Sequence, residues 1–182
     1  MSRKRKYNSE NHVHFLTGVV NKRMKLFQEH PECCQIFLEN LKFYRNRLDF
    51  KFLGYVIMPE HYHLLIMPSS KSEISKILMV LKGYSAKKII EFLRNEDIKF
   101  LNKFKLPVNK IKRIKDSRYR VFKPDDYDFN IFTQEKLIEK LNYMHNNPVK
   151  RGLVEKPSEY LYSSSKNYEL YDDSFIQIDK LF

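Results

Sequence analysis

The chain is expected to fold as an α+β protein, an antiparallel sheet with helices on one face in the ferredoxin-like arrangement. Three observations lead there. Strand and helix signals follow one another in the order β-α-β-β-α, then come a basic segment, a further strand and a helix. Two β-rich runs meet at the tight turn Met58-Pro59-Glu60. Two long stretches carry apolar residues at helical rather than alternating spacing.

The first strand is His12 to Val20 (HVHFLTGVV), closed by the basic turn NKRMK. Pro31 to Arg47 reads as a helix, with Ile36, Leu38, Leu41 and Phe43/Tyr44 on its stripe and Pro31 suited to a first turn. Phe50 to Met58 and His61 to Met67 form the paired strands. Ser72 to Leu93 reads as a long helix, its stripe running Ile74, Ile77, Leu78, Leu81, Ala86, Ile89, Ile90, Leu93 behind the cap-rich start SSKSEISK. A basic insert near 99–118 follows, and Tyr119 to Phe122 reads as a short strand. Thr133 to Asn147 is the last helix, which Pro148 is expected to end because the residue before proline leaves the α region. From about residue 157 a tail rich in Tyr and Ser gives no clear signal.

At 182 residues the chain is long enough for one core, so residues 1–182 are expected to form a single domain. No apolar run approaches the length of a membrane span, and the start MSRKRKYNSENH has charge without an apolar stretch, which together favour a cytoplasmic protein. The two cysteines, Cys33 and Cys34, are adjacent, which excludes a disulfide framework and a cysteine-ligated zinc. Only four glycines occur and none forms a Gly-rich loop, which removes P-loop and dinucleotide-binding readings. Lys and Arg total 34 against 22 Asp and Glu, a net charge of +12. That excess favours a polyanion, because each neutralised phosphate releases counterions.

Two His-x-His pairs stand out, His12/His14 and His61/His63. In a strand, positions i and i+2 share a face, so either pair can present two imidazoles to one ion; equally, either can be packed strand histidines. Position separates them. His61 and His63 follow a tight turn inside the apolar block GYVIMPEHYHLLIMP, a rigid place for a metal, whereas His12 and His14 begin the first strand. The second constellation is YMHNNPVK, where Tyr143 and Asn147 are i and i+4 on a helix and face the same way. An amide oxygen beside two imidazoles, with open positions, suits Mg²⁺ or Mn²⁺ holding a phosphate oxygen. A core tyrosine and a helix-ending asparagine would look the same.

Taken together, MPEHYHLLI and, some way downstream, YMHNNPVKRGLV resemble the HUH single-strand tyrosine (Y1) transposases, and most of all their REP-associated (RAYT) branch. LKGYSAKKI and KPSEYLYSS extend the likeness over most of the chain. The resemblance implies an HUH endonuclease core, His61, His63 and Asn147 as ligands of Mg²⁺ or Mn²⁺, and Tyr143 as nucleophile. It further implies transposition chemistry on single-stranded DNA beside palindromic hairpins, through a 5′-phosphotyrosine intermediate. The family often carries Trp where this chain has Phe122, and the chain has no Trp at all.

Tyr127 in PDDYDFN is the rival nucleophile, but Asp125, Asp126 and Asp128 would oppose an approaching phosphate, whereas Lys150 and Arg151 follow Tyr143. Lys82, Lys87, Lys88, Lys112, Arg113, Lys115, Lys150 and Arg151 are the candidate phosphate contacts. A hydrolytic metal-dependent nuclease and a catalytically silent hairpin-binding protein stay open as alternatives. A monomer is favoured over a homodimer.

Overall fold

The computed structural model describes residues 12–69, 73–107 and 118–180. A four-stranded sheet is built from β1 (Val13–Val19), β2 (Phe50–Met58), β3 (His61–Pro68) and β4 (Tyr127–Ile131). Its order is β2-β3-β1-β4 and every neighbouring pair is antiparallel. With α2 (Glu32–Leu48) between β1 and β2, and α3 (Ile74–Glu96) between β3 and β4, this is the expected ferredoxin-like topology. The short helices α1 (Leu26–Glu29) and α4 (Ile98–Asn102) precede α2 and follow α3.

Strand alternation divides the core. Leu16, Tyr62, Leu64 and Ile66 point to one face, where Phe37 and Leu41 of α2 and Ile77, Leu81 and Ile89 of α3 bury them. Val13, Phe15 and Leu65 point to the other, joined by Leu53, Val56 and Met58. The two long helices thus share one face as expected. The last helix, α5 (Gln134–His145), covers the opposite face with Leu137, Leu141 and Met144, spaced i, i+4 and i+7. Thr133 caps it by accepting a hydrogen bond from the Lys136 amide at 3.2 Å.

Pro148 interrupts the chain without redirecting it. Asn146 keeps near-helical dihedrals (φ −82°, ψ −6°), and a further turn, α6 (Asn147–Lys150), resumes with Pro148 in its first turn. The expected strand at Tyr119–Phe122 is absent as a ladder. Its residues make two isolated pairs, Val20 with Phe122 and Lys105 with Tyr119, and Val121 and Phe122 fill the core under α2 and α3. The strand actually present, β4, begins four residues after Lys123.

The tyrosine- and serine-rich C-terminal segment laces the outer edge of β2. Val56 pairs with Ser163, and the Tyr160 and Tyr168 hydroxyls donate to the Ile57 and Leu53 carbonyls at 2.8 and 2.6 Å. Asp179 donates from its amide to the Phe52 carbonyl and accepts from the Phe52 amide, both at 2.7 Å. A last helix, α7 (Ser165–Glu169), follows Ser164. Ser164 Oγ accepts from the Tyr55 amide at 2.9 Å and lies 2.8 Å from His145 Nε2, which ties α5 to the same edge.

Burial pushes His145 down to about 4, against the minor opposing pull of Glu169. The unfolded chain therefore takes up this proton first, and stability, whole above about pH 6.5, falls as pH drops from there towards 4. His145→Gln keeps a side-chain donor but cannot titrate. In urea unfolding with EDTA present, it is expected to flatten the stability slope in that window by up to about 1.4 kcal/mol per pH unit. An unchanged slope would show that His145 does not carry this dependence.

Candidate active site

The β2–β3 turn and the register of β1 with β3 assemble the site. Met58 faces His61 across the hairpin, and His63 lies opposite Thr17. Both histidines therefore project onto the face that α5 covers. Their rings are 4.9 Å apart between centroids.

Each imidazole is held through Nδ1. His61 donates to Glu60 Oε1 at 3.1 Å, and His63 Nδ1 lies 2.7 Å from Thr17 Oγ1. Arg151 grips both oxygens of Glu60, Nη2 to Oε1 at 2.7 Å and Nη1 to Oε2 at 3.0 Å. Glu60 is only 6 % exposed. Its burial alone would raise its pKa, but the hydrogen bonds and charges of Arg151 and His61 outweigh that and hold it below the usual carboxylate range. Burial lowers His61, partly offset by Glu60. It pushes His63 down to about 3, helped by the charges of His61 and Lys140. At neutral pH both rings are neutral, which is the form that binds metal.

Tyr143 comes to the pair from α5. Its ring centroid is 5.7 Å from that of His63 and 6.1 Å from Phe15, which itself stacks on His63. At 42 % exposure, its ring is open to solvent. Two ammonium groups flank it: Lys150 Nζ at 5.5 Å and Lys140 Nζ at 5.7 Å from the ring centroid. Asn147 begins α6 after Tyr143, and Arg151, at the far end of that turn, reaches Glu60. A single segment thus carries the phenol, the amide and the cation that orients His61.

The donor set fits a divalent ion. Among the described residues no group of three or more His, Cys, Asp or Glu could hold a metal, so any third protein donor is of another kind. His63 Nε2 is buried with no hydrogen-bond partner, and so is the nitrogen end of the Asn147 amide. Buried polar atoms without partners are costly, and they are expected where a ligand completes them. A half-turn of the carboxamide would present its oxygen instead, a neutral donor of the kind such an ion accepts.

Other candidates fall elsewhere. Lys82 is committed to Asp126 Oδ2 and the Lys123 carbonyl, each at 2.7 Å, and fastens α3 to the approach of β4. Lys87 and Lys88 are exposed on α3, across the sheet from the histidines. Lys112, Arg113 and Lys115 lie outside the described residues. Arg151 serves Glu60, and among the described residues Lys150 is the proposed phosphate contact that lies on the Tyr143 ring.

Tyr127 sits opposite Thr17 on β4, on the same face as His63 but two strands away, about 10 Å by strand spacing. Two of the three acids invoked against it are engaged: Asp126 with Lys82, Asp128 with the buried His14 at 2.8 Å. Distance from His63 therefore disfavours Tyr127 more than charge does. Sequence reasoning passed over Thr17, the Glu60–Arg151 pair as a unit, and Lys140. Only Lys140 left a local trace, standing three residues before Tyr143 on one helix face.

The sequence profile of the IS200-like transposases matches residues 7–104, more than half of the chain, and the chain belongs to that family. The match takes in the histidine pair and ends before Tyr143 and Asn147. Among solved structures, a REP-associated tyrosine transposase bound to a REP hairpin superposes with a TM-score of 0.64 at 17% identity, covering 100% of this chain and 94% of that one. At that identity the likeness shows the shared fold. A Deinococcus radiodurans structure described as a candidate transposase matches at a TM-score of 0.49 and 15% identity, over 80% of this chain and 97% of that one. No curated protein sequence matches. No helix among the described residues is long and apolar enough to cross a membrane.

Proposed function

We propose that this transposase-family chain nicks and rejoins single-stranded DNA beside hairpins, with Tyr143 as the nucleophile. The observation that carries the reading is the half-exposed Tyr143 ring 5.7 Å from His63, on the one sheet face that holds both imidazoles. The neighbouring structure bound to a REP hairpin supports a hairpin substrate.

In the proposed reaction Tyr143 Oη attacks phosphorus. The new O–P bond forms as the P–O3′ bond breaks, the phenolic proton leaves to solvent, and the departing 3′ oxygen takes one up. The DNA keeps a free 3′-OH and the protein keeps the 5′-phosphate as an ester. One phosphodiester is exchanged for another, so a 3′-OH can reverse the step without ATP. A neutral phenol is a weak nucleophile, and the two lysines flanking Tyr143 favour approach of a phosphate. A divalent ion of the Mg²⁺ or Mn²⁺ class held by His61, His63 and Asn147 would supply Lewis-acid stabilisation of the charge that builds on the phosphate. Thr17 and Glu60 fix the two rings with Nε2 free, and Arg151 keeps Glu60 ionised and in place.

Removing that support has a measurable consequence. Arg151→Ala leaves Glu60 buried without its cation and loosens His61; Mn²⁺ affinity by calorimetric titration is expected to fall about 10- to 100-fold. Unchanged affinity would exclude His61 from the ligand set or show that Glu60 needs no support.

The reading itself is tested with single-stranded hairpin DNA from repeats flanking the gene, labelled at either end and incubated with Mg²⁺ or Mn²⁺ or with EDTA. A metal-dependent protein band carrying the label 3′ of the cut, seen on a denaturing gel, supports it. Cleavage without an adduct would indicate a hydrolase, and binding without cleavage a hairpin-binding protein.

A further inference from the structure

We propose that Lys140 is a built-in phosphate seat: an ammonium held in place, but not neutralised, next to the tyrosine that attacks. The idea rests on the Tyr143 reading above and goes beyond the ligand set and nucleophile of that reading.

Lys140 Nζ lies 5.3 Å from the ring centroid of Phe15, 5.2 Å from Phe129 and 5.7 Å from Tyr143. These rings come from β1, β4 and α5, so three separate elements converge on one charge. Aromatic faces attract a cation through their quadrupole without cancelling its charge. Its only ion-pair partner among the described residues is Glu139, at 4.0 Å, and the other oxygen of that carboxylate is held by Lys136 at 2.6 Å. The Lys140 side chain is 22 % exposed, so its field is felt through a partly dry medium, where charges act more strongly than in water.

The one counter-charge of this ammonium among the described residues is thus shared with Lys136. Among the described residues Glu60 is matched by Arg151, and Lys150 adds a second cation on the Tyr143 ring. An anion is the complement such a place invites. The site offers it beside the phenol, where the non-bridging oxygens of a phosphate under attack would lie. Lys150 is exposed, whereas Lys140 is held against three rings before the substrate arrives, the condition for electrostatic stabilisation at low reorganisation cost. A cation kept only to fasten α5 to the sheet would show the same ring contacts, so the test must separate charge from packing.

Lys140→Met keeps the unbranched stem against the rings and removes the charge; Lys140→Arg keeps both. Binding of a fluorescent single-stranded hairpin oligonucleotide by the full chain is measured by anisotropy over a range of NaCl, in EDTA so that no cleavage intervenes. For Lys140→Met the slope of log affinity against log salt is expected to fall by about 0.7, the loss of one phosphate contact on a single strand, with Lys140→Arg at the wild-type slope. With Mn²⁺ added, adduct formation is expected to slow about 100-fold in Lys140→Met and less than about 10-fold in Lys140→Arg, while thermal midpoints stay together. A Lys140→Met protein with the wild-type salt slope overturns the proposal, whatever its stability. If wild-type protein forms no adduct yet the slope still depends on Lys140, the nucleophile reading fails and the phosphate seat stands.

Discussion

Tyr143→Phe is expected to abolish the protein–DNA adduct and to lower cleavage by at least about 10⁴-fold, the scale seen when a nucleophile is removed from an otherwise intact site. Affinity for the hairpin should change less than about threefold. The substitution removes one oxygen and leaves the ring, so the contacts with His63 at 5.7 Å and Phe15 at 6.1 Å survive, as does the face on which Lys140 and Lys150 rest. Because Tyr143 is 42 % exposed, the fold should lose less than about 0.5 kcal/mol. The combination is diagnostic: chemistry disappears while binding and stability stay. A persisting adduct would sink the assignment and move attention to Tyr127, the other exposed tyrosine on this sheet face.

The second large effect is on the fold. A Cβ at Gly18 would lie 2.1 Å from Cζ and 2.2 Å from Oη of Tyr62, far inside any permitted contact. Tyr62 is fully buried, with Phe37 at 4.5 Å and Phe122 at 6.0 Å between ring centroids, and has nowhere to retreat. It also sits between His61 and His63 on β3, so pushing it displaces the strand that carries both. Gly18→Ala is expected to cost about 3 kcal/mol or more in urea unfolding, at the upper end for overpacked cores, and to reduce adduct formation with it. Trimming the ring should relieve the clash: Gly18→Ala combined with Tyr62→Leu is expected to be more stable than the sum of the single changes allows. A Gly18→Ala protein within about 0.5 kcal/mol of wild type would refute the account.

What could be read from sequence was what local pattern encodes. β-rich runs bounded by turn residues marked β1, β2 and β3, and apolar spacing marked α2, α3 and α5, because each of these carries its own share of the core. β4 escaped. In YDFNI only Ile131 is buried, the strand lies at the sheet edge, and the preceding PDD reads as a turn. Tyr119 to Phe122 misled in the opposite sense, since its apolar residues serve the core without joining a ladder. The site followed the same rule. The histidine pair was visible through the i, i+2 period, and Tyr143 with Asn147 through helical spacing. The pairing of Arg151 with Glu60, and of Lys82 with Asp126, joins residues far apart in the chain, which only tertiary structure brings together. Charge alone marked both cations for DNA, and the fold gave them to carboxylates.

The lacing of β2 by the C-terminal segment bears on stoichiometry. With Ser163 paired to Val56 and Asp179 bonded to Phe52, much of that edge is occupied from within the chain. At the opposite edge β4 is five residues long, with Asp128 in it and Asp125 and Asp126 just ahead. Neither border invites a second copy to extend the sheet. Under the proposed reaction, a chain working alone with Tyr143 as its nucleophile would hold one severed 5′ end at a time. The other end of any new junction would then arrive as a free 3′-OH, so that on this proposal cutting and joining follow each other on a single phenol.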